Sequence, residues 1–484
     1  MKIKPIHIVI LLFLLSLSFN LFYGLSNEHF FGSDSYSHLR IINNYVQDGS
    51  ILTYDELSFS GRDVNYPQLF HFFISVFLFL PFYLKIIPAL LIASLVIIVY
   101  FLSKELTRNE TASVISALLI AFSPLVLKST LNQISPLHLI LPLMFLMFYL
   151  LIKIEDKRYF NLFLFLVFFI GLIHPISIIF VLGLVFYMLL LNIDNSFLDN
   201  RRKELIIFTF FLIAFVNILI YRKSFIFHGF NYVTRDSITS MNSAFLASFN
   251  IFTDFFGLGL IVFILGVVGL FFGYYNQKNN IIVLLSGFII TTLLMGILNL
   301  INVDLILLIL AITFTVTSSL AIVRLLNYLK ITKAARFRNY FIFLFVGLIF
   351  LLSVFPSFLM ANSFEINNDE LDDLKWLREN TNKKSVILSI MEEGNYVIGL
   401  AERKSILDSN VFLVPNLEQR IDDVEIIYTT WSEAVALDLI RRYNIDYIYF
   451  TQRVKEKYNI QEILYTNDER CFTKERETIY KISC

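Results

Sequence analysis

The chain has 484 residues, of which 57% are hydrophobic and only 16% are charged, and its mean hydropathy is +0.70. Soluble globular domains carry charge on about a quarter of their residues, so this composition excludes an ordinary soluble protein. The formal net charge is zero, which leaves no electrostatic basis for a nucleic-acid partner. We therefore predict an α-helical polytopic membrane protein in contact with membrane lipids and without nucleic acid.

Long apolar segments recur along the first three quarters of the chain. The first follows Lys2 and Lys4 and lacks an Ala-x-Ala cleavage site, so it is interpreted as an uncleaved helix. No segment carries a Lys, Arg or Glu near its middle, which argues against an ion-coupled transporter. The apolar segments are 6–25, 67–83, 86–102, 112–127, 136–152, 159–173, 175–193, 204–221, 251–274, 280–300, 303–326 and 339–361.

Segment 67–83 decides the predicted orientation. It is short and bounded by Pro67 and Pro81, so we interpret it as a helix lying at the membrane surface. If this segment does not cross the membrane, sixteen Lys and Arg residues fall on the cytoplasmic side and seven in the outer loops before residue 362. If it crosses, these two numbers are exchanged, which the usual excess of Lys and Arg on the cytoplasmic side disfavours. The sequence thus predicts about eleven crossings, a cytoplasmic N-terminus, a first outer loop over 26–85 and an extracytoplasmic C-terminal part.

The first outer loop begins with the segment "FFGSDSYSHLR". A helix over about 35–47 would place Asp34 and His38 one turn apart on a common face. Leu39, Ile42 and Val46 would pack its other side, and Gly49 would end it. Asp34 at the start of this helix could act as a general base, hold a divalent cation, or serve only as a helix cap.

Other polar side chains fall in outer loops. His174 lies at a tight turn before Pro175, where it either faces the site or caps a helix. Arg222 and Arg235, in the predicted outer loop 222–250, either bind a lipid-linked phosphate or contact headgroups. Arg40 is a further cation beside the first-loop helix.

From about residue 362 the composition becomes charged and amphipathic. Asn368 is a plausible N-cap for a helix over 369–380, and "SVILSI" (385–390) indicates a buried strand. A helix around "SEAVALDLIRRY" would place Ala436, Leu439, Ile440 and Tyr443 on one face, and the strand "DYIYF" (446–450) follows it. We predict a transmembrane domain over 1–361 and an extracytoplasmic α/β domain over 362–484.

Cys471 and Cys484 are the two cysteines of the chain. A disulfide is possible if this end is extracytoplasmic, and two unrelated thiols are equally compatible with the sequence.

The segment "SDSYSHLRIINNYVQDGSI" resembles the first-loop motif of archaeal oligosaccharyltransferase catalytic subunits, which belong to the GT-C superfamily of membrane glycosyltransferases. "NYP" (65–67), "ASVISALLIAFSPLVLKST" (112–130) and "SIMEEGNYVIGLAERKSILDSN" (389–410) resemble further segments of that family. The last aligns Gly394, Arg403, Asp408 and Asn410, and we expect Arg403 to be structural. The resemblance implies a GT-C-like fold and a polyprenyl-phosphate-linked sugar donor.

The chain departs from this family at two motifs. Ile390, Met391 and Glu392 stand where the family has Trp-Trp-Asp, which recognises the acceptor sequon, so sequon recognition is not expected. The loop "KSTLNQISPLHL" (128–139) lacks the family's second acidic residue. A Mg²⁺ or Mn²⁺ site at Asp34 would therefore need His138, Asp63 or Asp236 as a substitute ligand.

These observations predict a membrane glycosyltransferase that moves a sugar from a polyprenyl-phosphate carrier to a protein, lipid or glycan acceptor on the outer face. Asp34 and His38 are the predicted catalytic residues. The substrate or lipid-phosphate ligands are predicted to be Arg40, Tyr66, His174, Arg222 and Arg235. Two alternatives stay open, namely an oligosaccharyltransferase with altered acceptor recognition and a non-catalytic lipid-sugar binding or scaffold protein.

Overall fold

The structure is a computed structural model, and it describes residues 4–194, 198–229, 259–276, 279–332, 336–361, 367–467 and 470–484. Two compact units make up the chain. The first unit comprises Met1–Glu28, Pro67–Ile220 and Asp236–Phe364. The second unit comprises His29–Tyr66, Tyr221–Arg235 and Glu365–Cys484, so most of the first loop groups with the C-terminal part.

Helices dominate the described chain. In order they are α1 (Pro5–Ser26), α2 (Asp34–Asp48), α3 (Leu69–Ser75), α4 (Tyr83–Thr107), α5 (Glu110–Ala121), α6 (Pro124–Thr130), α7 (Leu137–Ile152), α8 (Lys157–Ile173), α9 (Ser177–Ile193), α10 (Asn200–His228), α11 (Leu260–Asn276), α12 (Asn280–Ile297), α13 (Val303–Ile331), α14 (Arg338–Ile349), α15 (Phe355–Ala361), α16 (Asn368–Asn380), α17 (Met391–Tyr396), α18 (Leu417–Thr429), α19 (Glu433–Tyr443) and α20 (Gln452–Tyr458). The strands are β1 (Tyr54–Asp55), β2 (Arg62–Asp63), β3 (Val386–Leu388), β4 (Lys404–Ser405), β5 (Tyr447–Tyr449), β6 (Phe472–Arg476) and β7 (Ile479–Ile482).

Several helices are long and apolar enough to cross a membrane. Among the described residues, five satisfy this by length and composition, namely α1, α4, α10, α12 and α13, and α5 with α6 makes a sixth if that pair, bent by 42°, is one span. Shorter apolar helices are Leu137–Ile152, Ser177–Ile193, Leu260–Tyr275 and Ile342–Phe358. The predicted class, a helical multi-pass membrane protein, is confirmed, while the number of eleven crossings stays a prediction.

The structure tests two predicted segment boundaries. In segment 67–83 helix α3 spans Leu69–Ser75, and α4 begins at Tyr83. The 7 residues of α3 are far too short to cross hydrocarbon, which agrees with the predicted short helix, while its place at the membrane surface stays a prediction. Helix α10 continues without a break to His228, so the first seven residues of the expected outer loop 222–250 are helical. This adds about two helical turns to the predicted apolar segment 204–221, and the outer position of 222–250 stays a prediction.

Close backbone contacts hold the helices of the first unit together. A Cβ atom added at Gly269 in α11 would lie 2.0 Å from the carbonyl oxygen of Thr317 in α13. A Cβ atom at Gly287 in α12 would lie 2.8 Å from the backbone nitrogen of Tyr187 in α9. Small residues at such crossings allow two helices to approach closely, which is the usual source of packing energy between helices in lipid.

The second unit contains a five-stranded sheet with the order β4-β3-β5-β7-β6. β3 pairs in parallel with β4 and β5, whereas β7 pairs antiparallel with β5 and β6. The predicted C-terminal α/β arrangement is confirmed. The helix predicted over 369–380 spans Asn368–Asn380, and its N-cap is Asn367 rather than Asn368, because the Asn367 side chain accepts a hydrogen bond from the backbone N–H of Asp369.

A disulfide joins the two cysteines of the chain. Cys471, just before β6, is bonded to Cys484, just after β7. The antiparallel pairing of these two strands brings the residues together, with 4.9 Å between their Cα atoms. Of the two alternatives compatible with the sequence, the structure therefore contains the disulfide.

Candidate active site

Helix α2 carries the first-loop residues and lies in the second unit. Asp34 is its first residue, and Gly49 ends it in a left-handed conformation with φ of 63°, as predicted. The predicted buried face was only partly right. Ile42 is fully buried, but Val46 is 36% exposed, and Tyr36 and Ile41 are buried instead.

Tyr36 explains why the buried face of α2 differs from the predicted one. A Cβ atom added at Gly399 would lie only 2.4 Å from the Cβ of Tyr36, so α2 packs directly on the backbone at residue 399. The Tyr36 ring also meets the Tyr396 ring edge-on, with 5.4 Å between their centroids. These contacts set the position of Asp34 against the C-terminal part of the second unit.

Two donors hold the Asp34 carboxylate. Asn395 Nδ2 donates a hydrogen bond of 2.9 Å to Asp34 Oδ1, and Ser409 Oγ donates one of 2.8 Å to the same oxygen. Asn395 Nδ2 also donates to Ser409 Oγ at 2.8 Å, so the three side chains form a closed triangle. In the described ranges both donors bind Oδ1, which leaves Oδ2 for proton transfer.

The surroundings of Asp34 favour a proton acceptor. Asp34 is an exposed residue, so a substrate can reach it. Neighbouring protein atoms still remove water from part of the carboxyl group, and this desolvation raises the pKa of Asp34 above its ordinary value, while the hydrogen bonds from Ser409 and Asn395 offset part of the effect. A carboxylate with a raised pKa is a stronger base than a free aspartate.

Asn395 is the least expected member of this triangle. It is fully buried, and its Oδ1 atom has no hydrogen-bond partner among the described residues. Asn395 and Ser409 were not among the residues predicted for the site. Asn395 directly follows Gly394, and Ser409 lies between Asp408 and Asn410, so the resemblance over 389–410 was the signal that pointed to this stretch.

Gly394 and Asp408 shape the backbone around the triangle. A Cβ atom at Gly394 would lie 1.8 Å from the carbonyl oxygen of Leu407, so no larger residue fits there. Asp408 is fully buried, accepts a 2.6 Å bond from Ser58 Oγ and accepts a 2.7 Å bond from the backbone N–H of Asn410. Both contacts fix the loop that presents Ser409.

The remaining predicted first-loop residues have other partners. The ring centroids of His38 and Tyr66 lie 5.9 Å apart. Arg40 donates two hydrogen bonds, of 2.9 and 2.8 Å, to the two carboxylate oxygens of Asp55. Burial opposes ionisation of Asp55, yet Arg40 and two backbone N–H groups hold the pKa of Asp55 below its ordinary value. Arg40 is thereby engaged in a bidentate ion pair within the loop.

The other predicted phosphate ligands are placed as follows. His174 belongs to the first unit, is half-buried, and accepts a hydrogen bond from the backbone N–H of Ile176. Arg222 is exposed near the end of α10. Arg235 lies outside the described residues, so its role stays a prediction.

The residues at the position of the family's acceptor motif make contacts within the second unit. Ile390 and Met391 are buried, and Glu392 forms a surface ion pair of 2.8 Å with Lys457. These side chains pack and pair within the fold, and they supply no indole.

The described residues do not fit a metal centre. No group of three or more His, Cys, Asp or Glu in the described ranges is placed to hold a metal ion. Both ring nitrogens of His138 lie 2.9 Å from backbone carbonyl oxygens, and Asp63 pairs with Lys223 at 3.5 Å. Neither residue replaces the missing acid, and Asp236 lies outside the described residues.

Glu393, next to the triangle, is a buried carboxyl group with an incomplete set of hydrogen bonds. It is 2% exposed and accepts a 2.5 Å bond from Thr451, while its Oε2 atom has no partner among the described residues. Burial raises the pKa of Glu393 to about 7, although Thr451 and Arg453 favour its ionised form. This group should make the stability of the second unit depend on pH.

We predict that Glu393→Gln abolishes a pH-dependent loss of stability. The unfolded chain releases this proton near the ordinary pKa of 4.5 and the folded protein near 7, so the folded state binds more protons in between. The free energy of unfolding should therefore fall by roughly 1–3 kcal/mol as pH rises through this window. Both tryptophans, Trp376 and Trp431, lie in the second unit, and their fluorescence during thermal unfolding at pH 5 and pH 8 measures the effect. The surface variant Glu392→Gln should retain the wild-type pH dependence, and retention of it in Glu393→Gln would contradict the assignment.

Comparisons with known proteins bear on the fold of the chain. A family model described as dolichyl-phosphate-mannose-protein mannosyltransferase matches residues 66–221, which is less than half of the chain. No curated protein sequence matches the chain.

The structure is similar to that of an archaeal oligosaccharyltransferase. The apo crystal structure of the Archaeoglobus fulgidus enzyme aligns with a TM-score of 0.71 and 15% identity, covering 92% of this chain and 69% of that chain. The complex of Archaeoglobus fulgidus AglB with an inhibitory peptide and a dolichol-phosphate aligns with a TM-score of 0.65 and 14% identity, with coverages of 92% and 69%. The complex of that enzyme with Zn and sulfate has a TM-score of 0.64 and 15% identity, with coverages of 96% and 71%. The chain therefore has the fold of a GT-C membrane glycosyltransferase with a C-terminal domain, and the predicted resemblance is confirmed.

Proposed function

We propose that this protein transfers a sugar from a polyprenyl-phosphate carrier to an acceptor at the outer face of the membrane, with Asp34 as the general base. The observation that carries the proposal is the Asp34 carboxylate held on Oδ1 by Asn395 and Ser409. This arrangement occurs in a fold shared with an oligosaccharyltransferase whose structure is known in complex with an inhibitory peptide and a dolichol-phosphate.

The chemistry needs one base and a stabilised leaving group. The acceptor's nucleophilic atom attacks the anomeric carbon as the bond from that carbon to the phosphate oxygen breaks. The acceptor proton moves to Asp34 Oδ2, and the two bonding electrons leave with the polyprenyl phosphate. A phosphate leaving group needs little protonation, so a second carboxylate is not required, and no step is assigned to a metal because the described residues do not fit one.

The departing phosphate requires positive charge. Arg222 is exposed in the same unit as Asp34, whereas Arg40 is already paired with Asp55. We therefore rank Arg222 above Arg40 as a phosphate ligand, with Arg235, Tyr66 and His174 kept as further proposed contacts. His38, one turn from Asp34, would orient the acceptor.

An extracytoplasmic position of the second unit is part of the proposal. The distribution of Lys and Arg in the sequence favours it. The Cys471–Cys484 disulfide supports it, because such bonds persist mainly in oxidising compartments.

The test is turnover in membranes or proteoliposomes supplied with a radiolabelled polyprenyl-phosphate sugar. Transfer of label from the lipid to a protein, lipid or glycan fraction supports the proposal. Label found specifically on sequon asparagines would favour an oligosaccharyltransferase with altered acceptor recognition, since Ile390, Met391 and Glu392 stand at the usual acceptor motif. Saturable binding of the lipid without transfer to any fraction would overturn the enzymatic assignment in favour of a lipid-sugar binding protein.

Asn395→Ala should identify Asn395 as a positioning residue. It removes one of the two donors that favour the ionised carboxylate, so the pKa of Asp34 should rise further. We expect kcat/KM to fall about tenfold, as is typical for losing a hydrogen bond to a charged group. The acidic limb of the pH profile should also move to higher pH, because the base loses its charge earlier as pH falls. Ser409→Ala should move it in the same direction, and an unchanged pH profile in both variants would contradict this role.

A further inference from the structure

A large polar cavity lies in the first unit, apart from the residues assigned to the Asp34 site. Its volume is about 610 Å³, and it lies where α4 and α7 end and where α10 and α12 begin. The charge distribution of the sequence predicts this end of the helices to be cytoplasmic. Its polar lining consists of Glu105, Thr107, Arg108, Tyr187, Arg202, Asn279 and Asn280.

The charges of this cavity favour an anion. Its carboxylate, Glu105, is paired with Lys153 at 2.7 Å, whereas Arg108 and Arg202 contribute two positive charges. Arg202 reaches Glu155 at 3.2 Å, but Glu155 is 84% exposed, so solvent screens this pair. The cavity wall is therefore positively charged.

Arg202 also retains an unused donor. Its Nη2 atom donates to the carbonyl oxygen of Ile152, while its buried Nε atom has no hydrogen-bond partner among the described residues. A buried donor of this kind is costly unless a ligand accepts from it. The first turn of α12 at Asn280 adds the positive end of a helix dipole to the same wall.

We infer that this cavity is a binding site for a phosphate-bearing anion, distinct from the sugar-transfer site. Arg202 and Arg108 would hold the phosphate oxygens, and the Asn279 and Asn280 amides would contact polar groups attached to the phosphate. Basic pockets between membrane helices are suited to anionic lipid headgroups, and free phosphate offers the same chemistry.

Native mass spectrometry of the full-length protein in neutral detergent tests the inference. The probes are phosphatidylglycerol and phosphatidylcholine, with inorganic phosphate as a competitor. We expect phosphatidylglycerol to bind in preference to phosphatidylcholine, with an affinity about tenfold lower in Arg202→Gln. Competition by inorganic phosphate would identify the phosphate alone as the ligand, and its failure to compete would show that the acyl chains contribute.

Two further variants make the test specific. Arg108 ends α4 with φ of 52°, a conformation that asparagine tolerates well, so Arg108→Asn removes a charge without straining the fold. It should weaken binding as Arg202→Gln does. Arg201→Gln removes the same charge from the neighbouring exposed residue, which does not line the cavity, and should bind normally. Equal binding of the two lipids, or an equal loss in Arg201→Gln and Arg202→Gln, would overturn the proposal.

Discussion

Replacing Asp34 with asparagine is expected to lower the rate of sugar transfer by about 10²–10⁴-fold, which is the usual contribution of a positioned base. The substitution keeps the shape of the side chain. Its amide oxygen can still accept from Asn395 and Ser409, so the triangle should persist. What is lost is the atom that takes up the acceptor proton. The measurement is the initial rate of label transfer from a polyprenyl-phosphate sugar in proteoliposomes.

Asp63→Asn is the matched control for this prediction. Asp63 is a second carboxylate of the same first loop, 53% exposed and paired only weakly with Lys223 at 3.5 Å. Its replacement should leave transfer near the wild-type rate. A variant Asp34→Asn that unfolds like the wild type and still transfers sugar at the wild-type rate would remove Asp34 from the mechanism.

Arg403→Ala is expected to destabilise the second unit by about 3–5 kcal/mol, because five hydrogen bonds from one largely buried guanidinium would be lost at once. Arg403 is 4% exposed. Its guanidinium donates to the hydroxyl of Thr381 and to the backbone carbonyls of Arg378, Thr381, Ala401 and Glu402. These bonds agree with the structural role expected for Arg403. Thermal unfolding followed by tryptophan fluorescence measures the loss, with Trp376 on α16 as a nearby reporter.

Two variants test the geometric basis of this prediction. Arg378→Ala removes an exposed guanidinium that pairs with Glu402 at 2.7 Å, and an exposed pair of this kind contributes at most about 1 kcal/mol. Arg403→Lys should restore little of the lost stability, since an ammonium group cannot reproduce the planar set of five donors of a guanidinium. If Arg378→Ala and Arg403→Ala were equally unstable, general loss of charge rather than the buried network would be responsible.

Local signals in the sequence were sufficient to locate α2, predicted over about 35–47, to within one residue at each end. Gly49 marks its end through the C-cap preference of glycine, whereas its start lies at Asp34, with Ser33 at the N-cap position making no side-chain cap hydrogen bond. The side of α2 that is buried was harder to predict. Val46 is exposed and Tyr36 buried because Gly399, distant in sequence, allows a close approach at Tyr36.

The partners of Asp34 could not be derived from spacing. Asn395 lies 361 residues further along the chain, and Ser409 lies 375 residues away. No periodicity or capping rule reaches across such separations. The resemblance over 389–410 indicated the correct stretch of the chain. It aligned Gly394, Arg403, Asp408 and Asn410, however, and the structure uses these residues mainly to shape the backbone.

The sequence by itself determined the helical multi-pass membrane class, the short helix within 67–83 and the C-terminal α/β arrangement. Each follows from hydropathy, length or a local periodic pattern, which depend only on neighbouring residues. Only the tertiary structure decided that residues 29–66 group with 365–484, that Arg40 pairs with Asp55, and that Asn395 and Ser409 hold Asp34. These are contacts between distant parts of the chain, and they form only when close packing selects one arrangement among many that local preferences allow.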